Sequence, residues 1–432
     1  MSRLPLRIPA AVALLAGSAV LPASLAAQPL PVRTMTRPAA EFAEPYSAVR
    51  GVRELADGRL IVTDNRDKVV QLVDLRTGRA TTLGREGSGP NEYQMPTGAL
   101  PLPGDSTLVA DALNARFLLL GPGGTLAGTW VPANAEAGGA GGDRAPRTVV
   151  GGAPAGGAAG GRAPQGAVMS FGGGGPMQII GARATDAQGR LYMTGAPIAM
   201  TPEGPKAADS VPVLRVNRRT MVTDTMAWLR PPRGNTNVNA SGGNMSIRIG
   251  GGPFAADDGW TVLPDGRVVV VRHTDYHVEV YPATPKGTPV RGTPVRATPL
   301  RVTEAEKKAW REERASSAPV AIAMTRTDGP GGSSTRTAPA SLAQQEPDSW
   351  PEVMPLFQSG QVYTAPDGSI WVGRYRSASD KTPRYDVFDA TGKHTGQVVF
   401  PARTRIVGFG KRTVYTVRVD EDDLQYVQKW TL

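Results

Sequence analysis

The sequence contains no cysteine and three histidines, and aromatic residues make up 6% of its 432 positions. Without cysteine there is neither a disulfide framework nor a thiolate metal site, so burial must hold the fold, which a chain this long can supply. Beyond the N-terminal residues no apolar run is long enough to cross a bilayer. Nor is there a dense basic run interleaved with aromatics. The arginines behind the formal charge of +10 are scattered, which argues against nucleic acid and leaves acidic ligands or an anionic envelope as the partners such a surplus suits.

The single long apolar stretch, Ile8 to about Leu21, follows Arg3 and Arg7 and gives way to small residues at Ala26 and Ala27. This is the layout of a secretory signal peptide over 1–27. A retained anchor is the other reading, and Pro9 and Pro22 interrupt a run already short for it. The expectation is an exported protein, periplasmic or extracellular, whose mature form does not span the membrane.

What the sequence does hold is a repeat. A short apolar strand, a tight Gly-containing turn and a second apolar strand recur as GVRELADGRLIVTD from Gly51, GALPLPGDSTLVAD from Gly98, ARATDAQGRLYMTG from Ala182, GWTVLPDGRVVVVR from Gly259, VYTAPDGSIWVGR from Val362 and VGFGKRTVYTVR from Val407. Asp57-Gly58, Gln188-Gly189, Asp265-Gly266 and Asp367-Gly368 read as two-residue hairpin turns needing positive φ. Most units continue into a third strand and a further turn, which makes each a four-stranded antiparallel meander. Six units with one internal order favour blades about a channel over two stacked sandwiches. The last unit runs out of chain after LQYVQKWTL, so a strand around Val32, in PVRTMTRP, is expected to close the ring in the final blade and cover its open edge.

This series resembles the six-bladed β-propellers of the NHL and TolB-like superfamily, and LGREGSGPNEYQMP is similar to the G-x-G-P-x-E-[FY]-x-x-P junction between blades of exported members. The resemblance implies one all-β domain over 28–432. It also places residues 84–96 between the outer strand of blade one and the inner strand of blade two, with Glu92 accepting backbone hydrogen bonds. A phosphate-binding loop is the competing reading of so many glycines. It would end in Gly-Lys-Ser or Gly-Lys-Thr before a helix, and Pro90 and Pro96 stand there instead.

Three segments break the rhythm. Residues 134–176 are Gly, Ala and Pro rich and too poor in apolar side chains to order. Residues 231–257 read as a flexible loop at one mouth of the ring. Residues 285–347 combine the near-repeat KGTPVRGTPVRATPLRVT with a short surface helix over 303–316, opened by a Thr303/Glu306 capping box.

Propeller ligands bind where loops from several blades meet at one mouth, and the residue ending the second strand of each unit belongs there. Alignment gives Asp64, Asp111, Gly195, Arg272, Arg374 and Arg418. Two readings stand side by side. The arginines hold a carboxylate, phosphate or acidic sugar in forked hydrogen bonds, or they pair with acidic neighbours such as Asp275, Asp386 or Asp420 and tie the blades together. His273 and His277 have the spacing that on a helix would aim two ligands at one zinc, but strands lie on both sides, so a weak metal site with Asp275 between them is only the lesser reading, and His394 reads as solvated in an outer turn.

Hydrolases of this ring type hold a calcium-like ion on acidic and amide residues. The resemblance makes Asp64, Asn65, Asp111 and Asn114 the candidates for such an ion here. The opposing arginines disfavour a central cation, and neither a Ser-His-Asp set nor a G-x-S-x-G elbow is present. The expectation is therefore a noncatalytic binding or scaffold propeller for a small anion, glycan, peptide or protein, with no cofactor. An enzyme of the lactonase, lyase or sugar-dehydrogenase type, with calcium or another cofactor in the channel, is the alternative.

Overall fold

The computed structural model describes residues 30–132, 181–196, 198–201, 204–230, 237–241, 244–248, 253–317, 320–329, 332–341, 347 and 349–432. The expected signal peptide and the low-complexity segment 134–176 lie outside the described residues.

Six sheets of four antiparallel strands follow one another along the chain. Inner strand first, blade one is Val49–Glu54, Leu60–Asp64, Val69–Asp74 and Arg79–Thr82. Blade two is Pro96–Pro101, Thr107–Asp111, Arg116–Leu120 and Leu126–Trp130. Blade three is Ala184–Thr185, Leu191–Thr194, Val211–Val216 and Thr223–Leu229. Blade four is Gly259–Val262, Val268–Arg272, His277–Tyr281 and Val290–Arg291. Blade five is Phe357–Thr364, Ile370–Arg374, Arg384–Phe388 and His394–Val399. Blade six takes Thr404–Gly410, Thr413–Val419 and Gln425–Thr431 from the C-terminal end of the chain. The protein is a six-bladed β-propeller.

Second strands such as Leu60–Asp64, Thr107–Asp111 and Val268–Arg272 are buried at every residue, which is why they read as continuous apolar runs and not as alternating ones. Six buried clusters fill the six spaces between neighbouring blades. Leu55, Ile61, Val70, Val109 and Leu118 join blades one and two, and Val49, Val52, Leu60, Tyr415, Val417 and Val427 join blade six back to blade one. No blade buries its own faces, so stability resides in these seams. Where the inner strands of blades six and one approach most closely, Gly408 has no room for a side chain: a Cβ there would meet the Val52 carbonyl oxygen at 2.0 Å.

Two expectations change here. The fourth strand of blade six is Ala40–Glu41, paired antiparallel with Gln425–Thr431, whereas Val32–Thr34 adds a fifth, parallel strand outside blade five. The stretch around Val32 is drawn to the Gln397–Val399 edge, and the turn that follows brings Ala40 to Lys429. The inner turns are also longer than two residues. The Gly58 N–H donates to Leu55 O and the Leu55 N–H to Arg59 O, and only the glycine has positive φ, at 87°. Asp57 instead accepts the Arg59 N–H at 2.9 Å on its side chain, and Asp265 and Asp367 repeat this with Arg267 and Ser369.

Residues 84–96 do carry the chain from the outer strand of blade one to the inner strand of blade two. Glu92 accepts the Gly89 N–H at 2.7 Å and a bond from Arg85 at 2.7 Å. A Cβ on Gly87, whose φ is 153°, would lie 2.2 Å from that carboxylate. Arg116 of blade two clamps the segment by donating to the carbonyls of Ser88, Gly89 and Glu92. Buried Tyr93 anchors it, its hydroxyl accepting the Val70 N–H at 3.0 Å.

Because each blade is an antiparallel meander, connections between second and third strands and between successive blades emerge on one face, and all the others on the opposite face. Every long connection leaves from the first of these faces. Among them are the hairpins Ile198–Thr201 with Gly204–Ala207, Asn237–Ser241 with Asn244–Arg248, and Val320–Gly329 with Gly332–Ser341, together with the helix Glu304–Ser317. Strand Asn244–Arg248 lies against Val320–Gly329. Glu306 accepts the Thr303 N–H at 3.1 Å, as in a capping box, and also the Ala378 N–H at 3.1 Å, which ties the helix to blade five. Trp310 meets Trp350 edge-on at 5.3 Å.

Candidate functional site

The second-strand residues do reach the face where the inner strands begin, and there each is engaged within the fold. Asp64 is fully buried and accepts the N–H groups of Ala48, Arg66 and Asp67 at 2.6, 2.8 and 2.9 Å. Asp111 accepts those of Gln94 and Met95 at 3.1 and 3.0 Å and the Asn114 amide at 2.7 Å. Asn114 also donates to Gly87 O at 3.0 Å. Asn65 keeps a buried side-chain oxygen without a partner. In blades one and two this position thus fixes the lead into the inner strand, a backbone task that a short carboxylate suits.

In the later blades a guanidinium does similar work against a carboxylate. Arg272 pairs with buried Asp258 at 2.6 Å and with Glu279 at 2.7 Å, and donates to Trp228 O of blade three at 2.9 Å. Burial alone would raise the Asp258 carboxyl, but bonds from His273, the Arg230 amide and Arg272 hold it down at about 2. Neighbouring Asp257 has no such donors, and burial pushes it up to about 6 against the pull of His273. Arg374 pairs with Asp386 at 3.1 Å. Burial opposes the charge on Asp386, but His394, Arg374, Tyr276 and Gln397 hold it at about 2. Arg418 pairs with Glu41 at 2.8 Å. Of the acidic partners named from sequence, Asp386 is the one its arginine finds; Arg272 and Arg418 use Asp258, Glu279 and Glu41 instead.

The histidines are likewise directed into the fold. His273 Nδ1 lies 2.9 Å from Asp258, and His277 sits between Asp275 at 2.6 Å and Glu279 at 3.2 Å, so the two imidazoles serve different carboxylates. Asp275 also pairs with Arg291. His394 is packed on Phe388 with its Nε2 3.4 Å from Asp386, which corrects its reading as solvated.

The concave site lies nearer the axis. A cavity of about 870 Å³ runs between the inner strands of all six blades, and none of Asp64, Asn65, Asp111, Asn114, Arg272, Asp275, Arg374 and Arg418 lines it. Its wall includes Arg50 of blade one and Arg183, which leads into the inner strand of blade three. Both are exposed to the lumen, and neither has a carboxylate partner among the described residues. Arg183 stands over the ring of Trp260 at 5.9 Å. Protein surrounds it closely enough that burial disfavours its charge, with the phenol of Tyr363 acting the other way.

Arg405, the second residue of its inner strand as Arg50 is of its own, donates to Val49 O at 3.0 Å. Burial and neighbouring Arg50 lower it, and Tyr363 raises it. Burial pushes the Tyr363 phenol up, while Arg405 and Arg183 pull it back. Three guanidinium groups from blades one, three and six are thus within electrostatic reach of one another or of a single phenol. Carboxylates of the same wall stand elsewhere: Glu54 lies at the far end of the Arg50 strand and accepts from Thr413, while Asp186 is engaged by Arg190 and the Tyr192 hydroxyl. Alignment by turns drew the reading to strand ends and passed over Arg50, Arg183 and Arg405. The signal was available, as an arginine next to the start of each of these inner strands.

A resident calcium ion does not fit the residues present. The oxygens of Asp64 and Asp111 accept backbone and amide N–H groups, and among the described residues no three His, Asp or Glu side chains gather as ligands.

No protein-family model matches the chain, and no curated protein is similar to it. Solved structures with a similar course include a calcium-binding protein, regucalcin, from Agrobacterium tumefaciens. That likeness has a TM-score of 0.39 and 11% identity, over 92% of this chain and 94% of that one. Virginiamycin B lyase from Staphylococcus aureus is similar with a TM-score of 0.35 and 8% identity, over 92% and 98%. Likenesses this remote bear on neither ligand nor chemistry, and the fold rests on the six sheets themselves.

Proposed function

We propose that this chain is an exported, noncatalytic binding propeller of the NHL and TolB-like kind, which takes an anionic ligand in its lumen. Support for export is the basic, apolar, small-residue order of residues 1–27, and for the affiliation the junction GSGPNEYQMP. The anionic character of the ligand rests on one observation: Arg50 and Arg183 stand in a concave, protein-walled space and, among the described residues, have no carboxylate partner, while the arginines at the strand ends are paired. Burial already disfavours the charge of Arg183, and an entering carboxylate or phosphate relieves that cost with forked hydrogen bonds. The binding residues are therefore Arg50 and Arg183, assisted by Arg405 and Tyr363.

Titration calorimetry of the mature protein with inorganic phosphate and with glucuronate tests this. Binding is expected to weaken as salt rises and to fall at least about tenfold in Arg50→Gln/Arg183→Gln, a change of about 1.4 kcal/mol. Binding that is absent, or unchanged in the double variant, contradicts it.

A further inference from the structure

The lumen says more about the ligand than its charge. At about 870 Å³ the cavity far exceeds what one carboxylate or phosphate fills, so the arginines can hold only part of an occupant. Its walls are unequal. Tyr363 of blade five and Phe409 of blade six stand beside each other, ring centroids 6.1 Å apart, both partly exposed and both lining the space. Across the ring the wall includes Gly98, Ala99 and Ala182. At Gly98 an added Cβ would meet nothing within 4 Å, so the small-residue side leaves a slot. Thr261 and Thr364 bring hydroxyls to the same wall, 3.0 Å apart and sharing one hydrogen bond, with lone pairs left over.

An aromatic pair with its rings tilted at 48° to each other, hydroxyls on the wall beside it, an open slot opposite and guanidinium groups within reach of the phenol suit a ring with a rim of hydroxyls and a carboxylate. The C–H faces of a sugar ring carry partial positive charge and lie against the negative face of an aromatic ring. The planar carboxylate of a uronic acid matches the guanidinium fork. Resting on the anion reading above, we infer that the lumen binds a short acidic sugar chain, with uronate carboxylates on Arg183 and on Arg50 and a ring against Tyr363 and Phe409.

Calorimetry with trigalacturonic acid, neutral maltotriose and inorganic phosphate tests this on the mature protein. Trigalacturonic acid is expected to bind at least about tenfold tighter than phosphate, and maltotriose to bind weakly. Phe409→Leu should weaken the acidic sugar about tenfold and leave phosphate unchanged. Gly98→Leu, whose Cβ meets nothing within 4 Å and whose side chain narrows the slot, should exclude the sugar and admit phosphate. If phosphate binds in an Arg183-dependent way but trigalacturonic acid gains nothing, or if Phe409→Leu and Gly98→Leu leave its affinity intact, the sugar assignment is wrong and the anion reading stands. If neither anion binds, the anion reading itself fails.

Discussion

Arg272 and Asp258 face each other at 2.6 Å, with the carboxylate fully buried and the guanidinium 10% exposed. The same arginine reaches the Trp228 carbonyl, so a side chain that sequence alignment placed at a binding mouth joins blade three to blade four. Removing the carboxylate leaves the buried guanidinium with Glu279 as its one anionic partner among the described residues and takes their acceptor from the His273 and Arg230 N–H groups. Asp258→Asn is accordingly expected to lose about 3 kcal/mol or more in urea unfolding. A loss below about 1 kcal/mol, the scale of an exposed pair, would show that the contact is incidental.

Acid stability should carry two opposite signatures. Asp258 and Asp386 are held at about 2 in the fold, below the ordinary carboxylate near 3.9, so their contribution is complete above about pH 4 and disappears as pH falls through 2. Asp257 is held up at about 6, so between about pH 4 and 6 the folded chain keeps a proton that the unfolded chain releases, and its contribution declines as pH rises. Unfolding free energies from pH 4 to 7 for Asp257→Asn should lack that decline. Profiles that superimpose on the parent's would remove Asp257 from the account.

Two inner-strand glycines should respond in opposite ways. Gly408→Ala drives a methyl to within 2.0 Å of the Val52 carbonyl oxygen at the seam of blades six and one, and overpacking of that kind costs about 1–3 kcal/mol. Gly98→Ala projects into the lumen and should stay within about 0.5 kcal/mol of the parent. Equal effects in chemical denaturation would mean that the lumen is not where the inner strands place it.

The contrast marks what the sequence could reveal. Second strands such as Val268–Arg272 announce themselves as continuous apolar runs because both their faces are covered, and a turn such as Asp57-Gly58 shows through its glycine. Those features are local, so the blade count and the role of residues 84–96 were legible. The partner of Arg418 was not, because Glu41 lies at the other end of the chain and only ring closure brings the two to 2.8 Å. The exchange of Val32 for Ala40 in the last blade has the same origin, since two short polar strands compete for edges with no apolar pattern to separate them. Arg50 and Arg183 are marked in the sequence by their place at the start of an inner strand, but that they have no carboxylate partner among the described residues shows only in three dimensions.

Unfolding free energy and phosphate affinity measured together on Arg183→Met test the central claim most directly. An arginine kept in the lumen for a ligand is a liability in the empty protein, so the variant should be at least as stable as the parent and bind phosphate about tenfold or more weakly. A variant that loses stability and binds phosphate as the parent does would make Arg183 a structural residue and leave the lumen without its anion site.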